Sequence, residues 1–195
     1  MTDGLVYYKD MMPESQKGNS YSFPDDRLVF TEENPSRELT VAAHLAAASR
    51  TLKGFNDTLS DQALEVARAI YSNEYNLSGR VMNSKLHAAS ELLLTTGEEQ
   101  YRKFILENET AVIKGIRDLA WLLGRSLDKI GNVQFTSSVR TAAKTLSDEI
   151  TKLSAETPFG VPYRPHIWGA GWDIQSFGVR QYYLHKYFPD IFQSA

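Results

Sequence analysis

The chain has 195 residues, enough for one domain with a core of its own, and its 42% hydrophobic content is that of an ordinary soluble globular protein. With 21 basic against 24 acidic residues the net charge is -3, and no Lys/Arg cluster is dense enough to track phosphates, which argues against nucleic acid as a partner. The lack of cysteine excludes disulfides and thiolate metal sites, and no apolar run approaches the ~20 residues that span a bilayer. The N-terminus lacks the basic-then-apolar order of a signal peptide, so neither a membrane segment nor an export signal is expected in this chain.

In chain order, residues 1–33 read as a loop-rich entry segment, with GLVYYKDMM able to form a short strand and PESQKGNSYSFPDD full of turn formers. Asn34 as cap and Pro35 as first helical residue then open a helix, SRELTVAAHLAAASRTLKG, whose small apolar residues fall on nearly every face and predict burial all round. After a turn at residues 54–56, Ala63, Val66, Ala67, Ile70 and Tyr71 form a one-sided stripe, the signature of a helix covering a core from outside. A second pair follows: a broadly apolar helix over about residues 84–95, then, after Gly97, a short helix with Tyr101, Phe104 and Ile105. Residues 110–124 carry Val112, Ile116, Leu119 and Leu123, widened by Ile113, Ala120 and Leu122. Residues 136–153 carry Val139, Ala142, Ala143, Leu146, Ile150 and Leu153, with charges elsewhere. The last helix, after Trp172, has no outer partner following it. The pattern predicts four inner and three outer helices joined as antiparallel hairpins over residues 34–195. A solenoid of repeats would favour a more constant spacing than these unequal linkers allow.

The densest chemistry lies in residues 157–192, where a Pro/Gly-rich loop with Arg164, His166, Trp168 and Trp172 runs into a helix presenting Phe177, Gln181, Tyr182 and His185. A pyranose has an apolar face that stacks on indole and a rim of hydroxyls that needs fixed donors and acceptors. Trp168, Trp172, Arg164, His166 and Gln175 supply both within a dozen residues and are candidate sugar ligands; the alternative is that one Trp packs inward and His166 bonds a loop carbonyl. Asp173 is either a helix N-cap or a ligand to a sugar hydroxyl. Asp25 and Asp26 sit in a turn after Pro24, where Asp bonds locally. Glu32, Glu33 and Glu38 flank a helix start, where negative charge is stabilising. His44 and His87, inside apolar helices, read as core or wall residues, and no metal-ligand spacing links the four histidines, so neither metal nor cofactor is expected. No Gly-x-Ser-x-Gly elbow, phosphate loop, dinucleotide fingerprint or His-Glu-x-x-His pair occurs.

The segments LVYYKD, NPSRELTVAAHLAAASRTLKGFNDTLSDQALEVARAIY, KLHAASELLLTTGEEQY and HIWGAGWDIQSFGVRQYYL, in this order, resemble the catalytic module of glycoside hydrolase family nine over about residues 4–192. The resemblance implies a mainly α fold, an (α/α)6 barrel of alternating inner and outer helices, here incomplete. It also implies a secreted or periplasmic enzyme that cleaves β-linked glucans with inversion, using two carboxylates roughly 6.5–9.5 Å apart. Loops at the N-terminal ends of the inner helices form the family's cleft, which would bring Asp26, Arg27 and Arg37 towards it. The Asp-Ala-Gly-Asp motif that activates water is missing, and no residue matches the family's acid. The expectation is therefore the middle portion of such a module, with no catalytic residue, inactive alone, and able to self-associate through its open barrel edge. The alternative is a non-catalytic helical scaffold or glycan-binding protein.

Overall fold

Local side chains set where the helices begin and end. In the computed structural model of the chain, which describes residues 34–157, 160, 162–164 and 169–193, Pro35 opens α1 (Pro35–Leu52). Asn56 opens α2 (Asp57–Ser72) by accepting the Leu59 N–H at 3.0 Å, and Asn132 opens α8 (Val133–Glu156) in the same way through Phe135 at 2.9 Å. Between them lie α3 (Gly79–Thr96), α4 (Glu99–Glu107), α5 (Glu109–Lys114), α6 (Ile116–Leu123) and the single turn α7 (Leu127–Ile130); α9 (Ala170–Tyr187) follows α8. Gly97 ends α3 in the left-handed region, φ 72°, with its N–H on the Leu93 carbonyl at 2.8 Å. The described residues are mainly helical and contain no strand. The chain divides into a unit Met1–Asn34 and a unit Pro35–Ala195, and the helices named here all belong to the second.

Four of these helices form one row with a constant register. Ser36 of α1 meets Ser84 of α3 at 2.9 Å, and one end further on Arg50 meets Glu91 and Thr95. Residues of α3 then pair with α6 and the turn that follows it: His87 with Trp121 and, one turn further on, Glu91 with Arg125 and Ser90 with Ser126 at 3.0 Å. α6 meets α9 likewise, Asp118 with Arg180 and Trp121 with Tyr183. Rising numbers on both sides of each contact mean that α1, α3, α6 and α9 run parallel. The return helices α2 and α8 run the other way, Ser49 meeting Ser60 at 3.2 Å and Arg117 meeting Glu149 at 2.7 Å.

Alanine explains how closely the row packs. Leu39, Ala42 and Ala43 of α1 close directly on Ala88 of α3, so two backbones approach with little between them. Tyr71 stands edge-on to Tyr101 and Phe104, tying α2 to α4, while Lys85, buried at the back of α3, donates to the carbonyls of Tyr71 and Asn73 at the end of α2. Phe188 and Phe192 turn the end of the described chain back into the core, where Ser147 of α8 donates to the Ile191 carbonyl at 3.1 Å.

Several expectations change. α1 is buried on one side only, through Leu39, Ala42, Ala43, Ala46 and Ser49; Val41 and His44 are exposed, because among the described residues α1 packs against α2 and α3 alone. The helix buried nearly all round is α3, from Ser84 to Leu93, with α1 and α6 on either side and α2 and α4 behind it. Val66 of the α2 stripe is exposed. The helix expected over residues 110–124 breaks at Gly115, where a Cβ would come within 2.7 Å of Asn83 Oδ1 and 2.9 Å of Leu119 Cδ1, so a larger residue would have to displace those two side-chain ends. The strand expected in GLVYYKDMM, with Asp25, Asp26 and Arg27, lies outside the described residues.

Candidate functional site

Among the described residues, the row of parallel helices leaves one face uncovered by the return helices, and each helix sets a ring on it. His44 of α1, His87 of α3, Trp121 of α6 and Tyr183 of α9 follow one another with ring centroids 6.0, 6.3 and 5.8 Å apart. Tyr187 continues from Tyr183, its ring nearly parallel to and stacked on it at 6.2 Å. His44 is exposed and the other four rings are half-buried, so the row is a surface rather than a core.

One turn beyond the rings the same helices build an ionic clamp. Glu91 of α3 is 2% exposed; one carboxylate oxygen takes the Arg50 guanidinium at 2.8 Å and the other that of Arg125, while the Arg125 guanidinium also lies 5.9 Å from the Tyr183 ring. Both carboxylate oxygens are thereby occupied by cations, which suits Glu91 to holding three helices together and not to proton transfer. Burial lowers the pKa of both guanidiniums from its ordinary value. His87 is held down to about 4, by burial first, then by His44 and Arg125, so a neutral imidazole stands in the middle of the row at neutral pH. Beside it, Trp121 Nε1 and Arg125 Nε are buried without a hydrogen-bond partner. Each such donor costs about 1–3 kcal/mol, and the four-residue spacing between Trp121 on α6 and Arg125 just past its end keeps both near the same end of α6. Among the described residues no group of His, Asp and Glu could hold a metal ion.

Of the expected sugar ligands, Trp172 is held out to solvent, 74% exposed in the first turn of α9. It precedes Tyr183 by eleven residues, three helical turns, and so lies on the same side of α9 as the ring row. Gln175 is exposed one turn on. Asp173 is not the N-cap: that position belongs to Gly169, φ 77°, and the Asp173 N–H already donates to the Gly169 carbonyl at 2.9 Å. Arg164 is drawn to Glu156 at the end of α8, 4.0 Å away, while its neighbour Tyr163 stacks on Phe177 of α9 at 4.8 Å. Arg37 is exposed in the first turn of α1, with α3 and α6 standing between it and Trp172. His166, Trp168 and Asp26 lie outside the described residues.

Trp121, Tyr183, Tyr187, Arg50, Glu91 and Arg125 were not expected as site residues, because each alone reads as part of an amphipathic helix. The signal that could have found them is a repeated i,i+4 pair: His87/Glu91 on α3, Trp121/Arg125 at and just past the end of α6, and Tyr183/Tyr187 on α9 each place a ring four residues from a second ring or a charge. Set against known protein families, curated proteins and solved structures, the chain matches none.

Proposed function

We propose that the chain is a wall of a glycoside hydrolase that acts with inversion on β-linked glucans, cellulose-like or mixed-linkage, and that it supplies glycan contacts while the catalytic carboxylates come from outside it. In this reading the parallel row and its return helices are part of an (α/α)6 barrel, with the open face turned towards the substrate. The observation that carries it is the ring row across four helices, flanked by the exposed Trp172: apolar faces for stacking sugar rings, with polar side chains between them. The sequence resemblance supplies the substrate class. Glu91, the carboxylate buried at this face, is bound on both oxygens by guanidiniums and is assigned no role as acid or base.

The test is a titration of the full chain with a β-1,4-linked glucose hexamer, followed by tryptophan fluorescence, with the α-1,4-linked hexamer as control. The expected result is saturable binding of the β-linked chain alone, weakened about tenfold by Trp172→Ala, the loss of about 1.4 kcal/mol of ring stacking. No new reducing ends should appear on long incubation. Equal affinity for both hexamers, or no binding of either, would overturn the reading.

A further inference from the structure

α8 and α9 turn matching stripes towards each other. Leu146, Glu149, Ile150 and Leu153 of α8, and Phe177, Arg180, Gln181 and Leu184 of α9, each follow the i, i+3, i+4, i+7 spacing of one helix face, and both stripes wall a cavity of 280 Å3. Leu146 and Leu184, 4% and 3% exposed, lie at its bottom. The two helices do not close on this space, because α8 packs on α5 and α6 and α9 packs on α6. The first turn of α6 sets the gap. Its adjacent residues Arg117 and Asp118 each hold one of the two helices, Arg117 meeting Glu149 of α8 at 2.7 Å and Asp118 meeting Arg180 of α9 at 3.1 Å. These four charged side chains, each at least 41% exposed, stand at the mouth. Tyr163, between α8 and α9 in sequence, stacks on Phe177 at 4.8 Å, and both rings line the cavity.

We propose that this cavity binds a small neutral aromatic compound carrying a hydroxyl, of the class of the phenols. The charges at the mouth cancel, two guanidiniums against two carboxylates already paired with them, so no surplus charge calls for an ionic ligand. Below the mouth the walls are Leu146, Ile150, Leu153, Leu184 and Phe177, and a polyol placed there would turn hydroxyls onto carbon and lose their bonds to water. A single hydroxyl at the mouth is answered in either role, since Arg117 and Arg180 donate, Asp118 and Glu149 accept, and Gln181 does both. Phe177 and Tyr163 favour an aromatic ring over an aliphatic one. A cavity of about 150 Å3 lined by Leu, Ile and Phe is enough for benzene, so 280 Å3 takes one substituted ring or two fused rings. None of His44, His87, Trp121, Trp172 and Tyr183 lines this cavity, so the inference stands apart from the glycan reading of the ring row.

The test is a titration of the isotope-labelled full chain with 4-methylphenol, followed by amide chemical shifts. The expected result is saturable change clustered on the facing stripes of α8 and α9 and on the Gln181 side-chain amide, with a Kd of about 1 mM. Leu153→Trp puts an indole where the ligand ring would lie and should weaken binding at least about tenfold. Phe177→Leu keeps a good helix former but removes the aromatic wall, and should weaken it about fivefold with helicity by circular dichroism unchanged. D-glucose should leave these residues unshifted, and benzoate, a charged ring, should bind no tighter than the phenol. The β-1,4-glucose hexamer at saturation should leave the affinity for 4-methylphenol as it was; a hexamer that fails to bind overturns the glycan reading and leaves this one standing. No saturation by about 10 mM, shifts confined to Trp121 and Tyr183, equal binding of D-glucose at the same residues, tighter binding of benzoate, or full affinity in both variants would each overturn the proposal.

Discussion

α3 and α9 are both 18 residues long and both rich in apolar side chains, yet nine residues of α3 are buried and one of α9. α3 has α1 and α6 on its flanks and α2 and α4 behind, while α9 is packed chiefly against α6. Burial along this chain follows the number of neighbouring helices, and apolar content is a poor guide to it. The polar residues bear this out. α3 can take Lys85, Ser90 and Glu91 into its buried face because carbonyls, a serine and two guanidiniums of adjoining elements answer them. α9 leaves Trp172, Ile174, Val179 and Tyr182 in solvent.

Glu91→Ala sharpens the contrast most. It strands Arg50 and Arg125 without their counter-charge at a partly buried site and should destabilise the chain by about 3 kcal/mol, read as a lowered midpoint in urea with little change in slope. The next largest effect follows from His87. Its folded pKa of about 4 lies below the ~6.5 of an unfolded chain, so between these values the unfolded state binds more protons. Stability is then complete above about pH 6.5 and falls as the pH drops towards 4, by about 2 kcal/mol with allowance for the partly exposed ring. Thermal melts of His87→Gln should lose this slope while keeping any loss at more acid pH, where Asp57 and Asp190, whose pKa values are lowered by hydrogen bonds first, are protonated. The smallest effect belongs to α9: Ile174→Ala should move the unfolding free energy by less than about 0.5 kcal/mol, and a larger loss would mean that this side of α9 is covered in the folded chain.

Much of the fold was legible in the sequence, and the reason is local. Asn34–Pro35, Asn56 and Gly97 are start and stop signals whose chemistry acts within a few residues, and the stripe from Val139 to Leu146 needed only helical periodicity to be recognised. What could not be read depends on partners distant in sequence. Whether α1 was buried on one side or all round depended on how many helices stand beside it. The close approach of Asn83, on another helix, to Gly115 at the break between α5 and α6 is likewise invisible to local sequence. The ring row joins residues 34 to 62 positions apart through an inter-helix register that no single segment contains. Trp172 was readable as an exposed ring because an indole in a Gly-rich helix start has little to pack on, whereas Trp121 in mid-helix looked like core.

The common direction of α1, α3, α6 and α9 also orders their peptide dipoles. The N-terminal rim of the open face gathers roughly half a positive charge from each helix, and the opposite rim gathers the matching negative charge. Arg50 and Lys186, in the last turns of α1 and α9, and Arg125, just past α6, sit at that negative rim, while α2 and α8, running the other way, cancel the field on the layer behind. The rings therefore lie along a gradient of potential. A neutral glucan crosses it without preference, so its hold on the face should be insensitive to ionic strength; an acidic polysaccharide would be pulled to the rim that carries Arg37 and Trp172, and salt would release it.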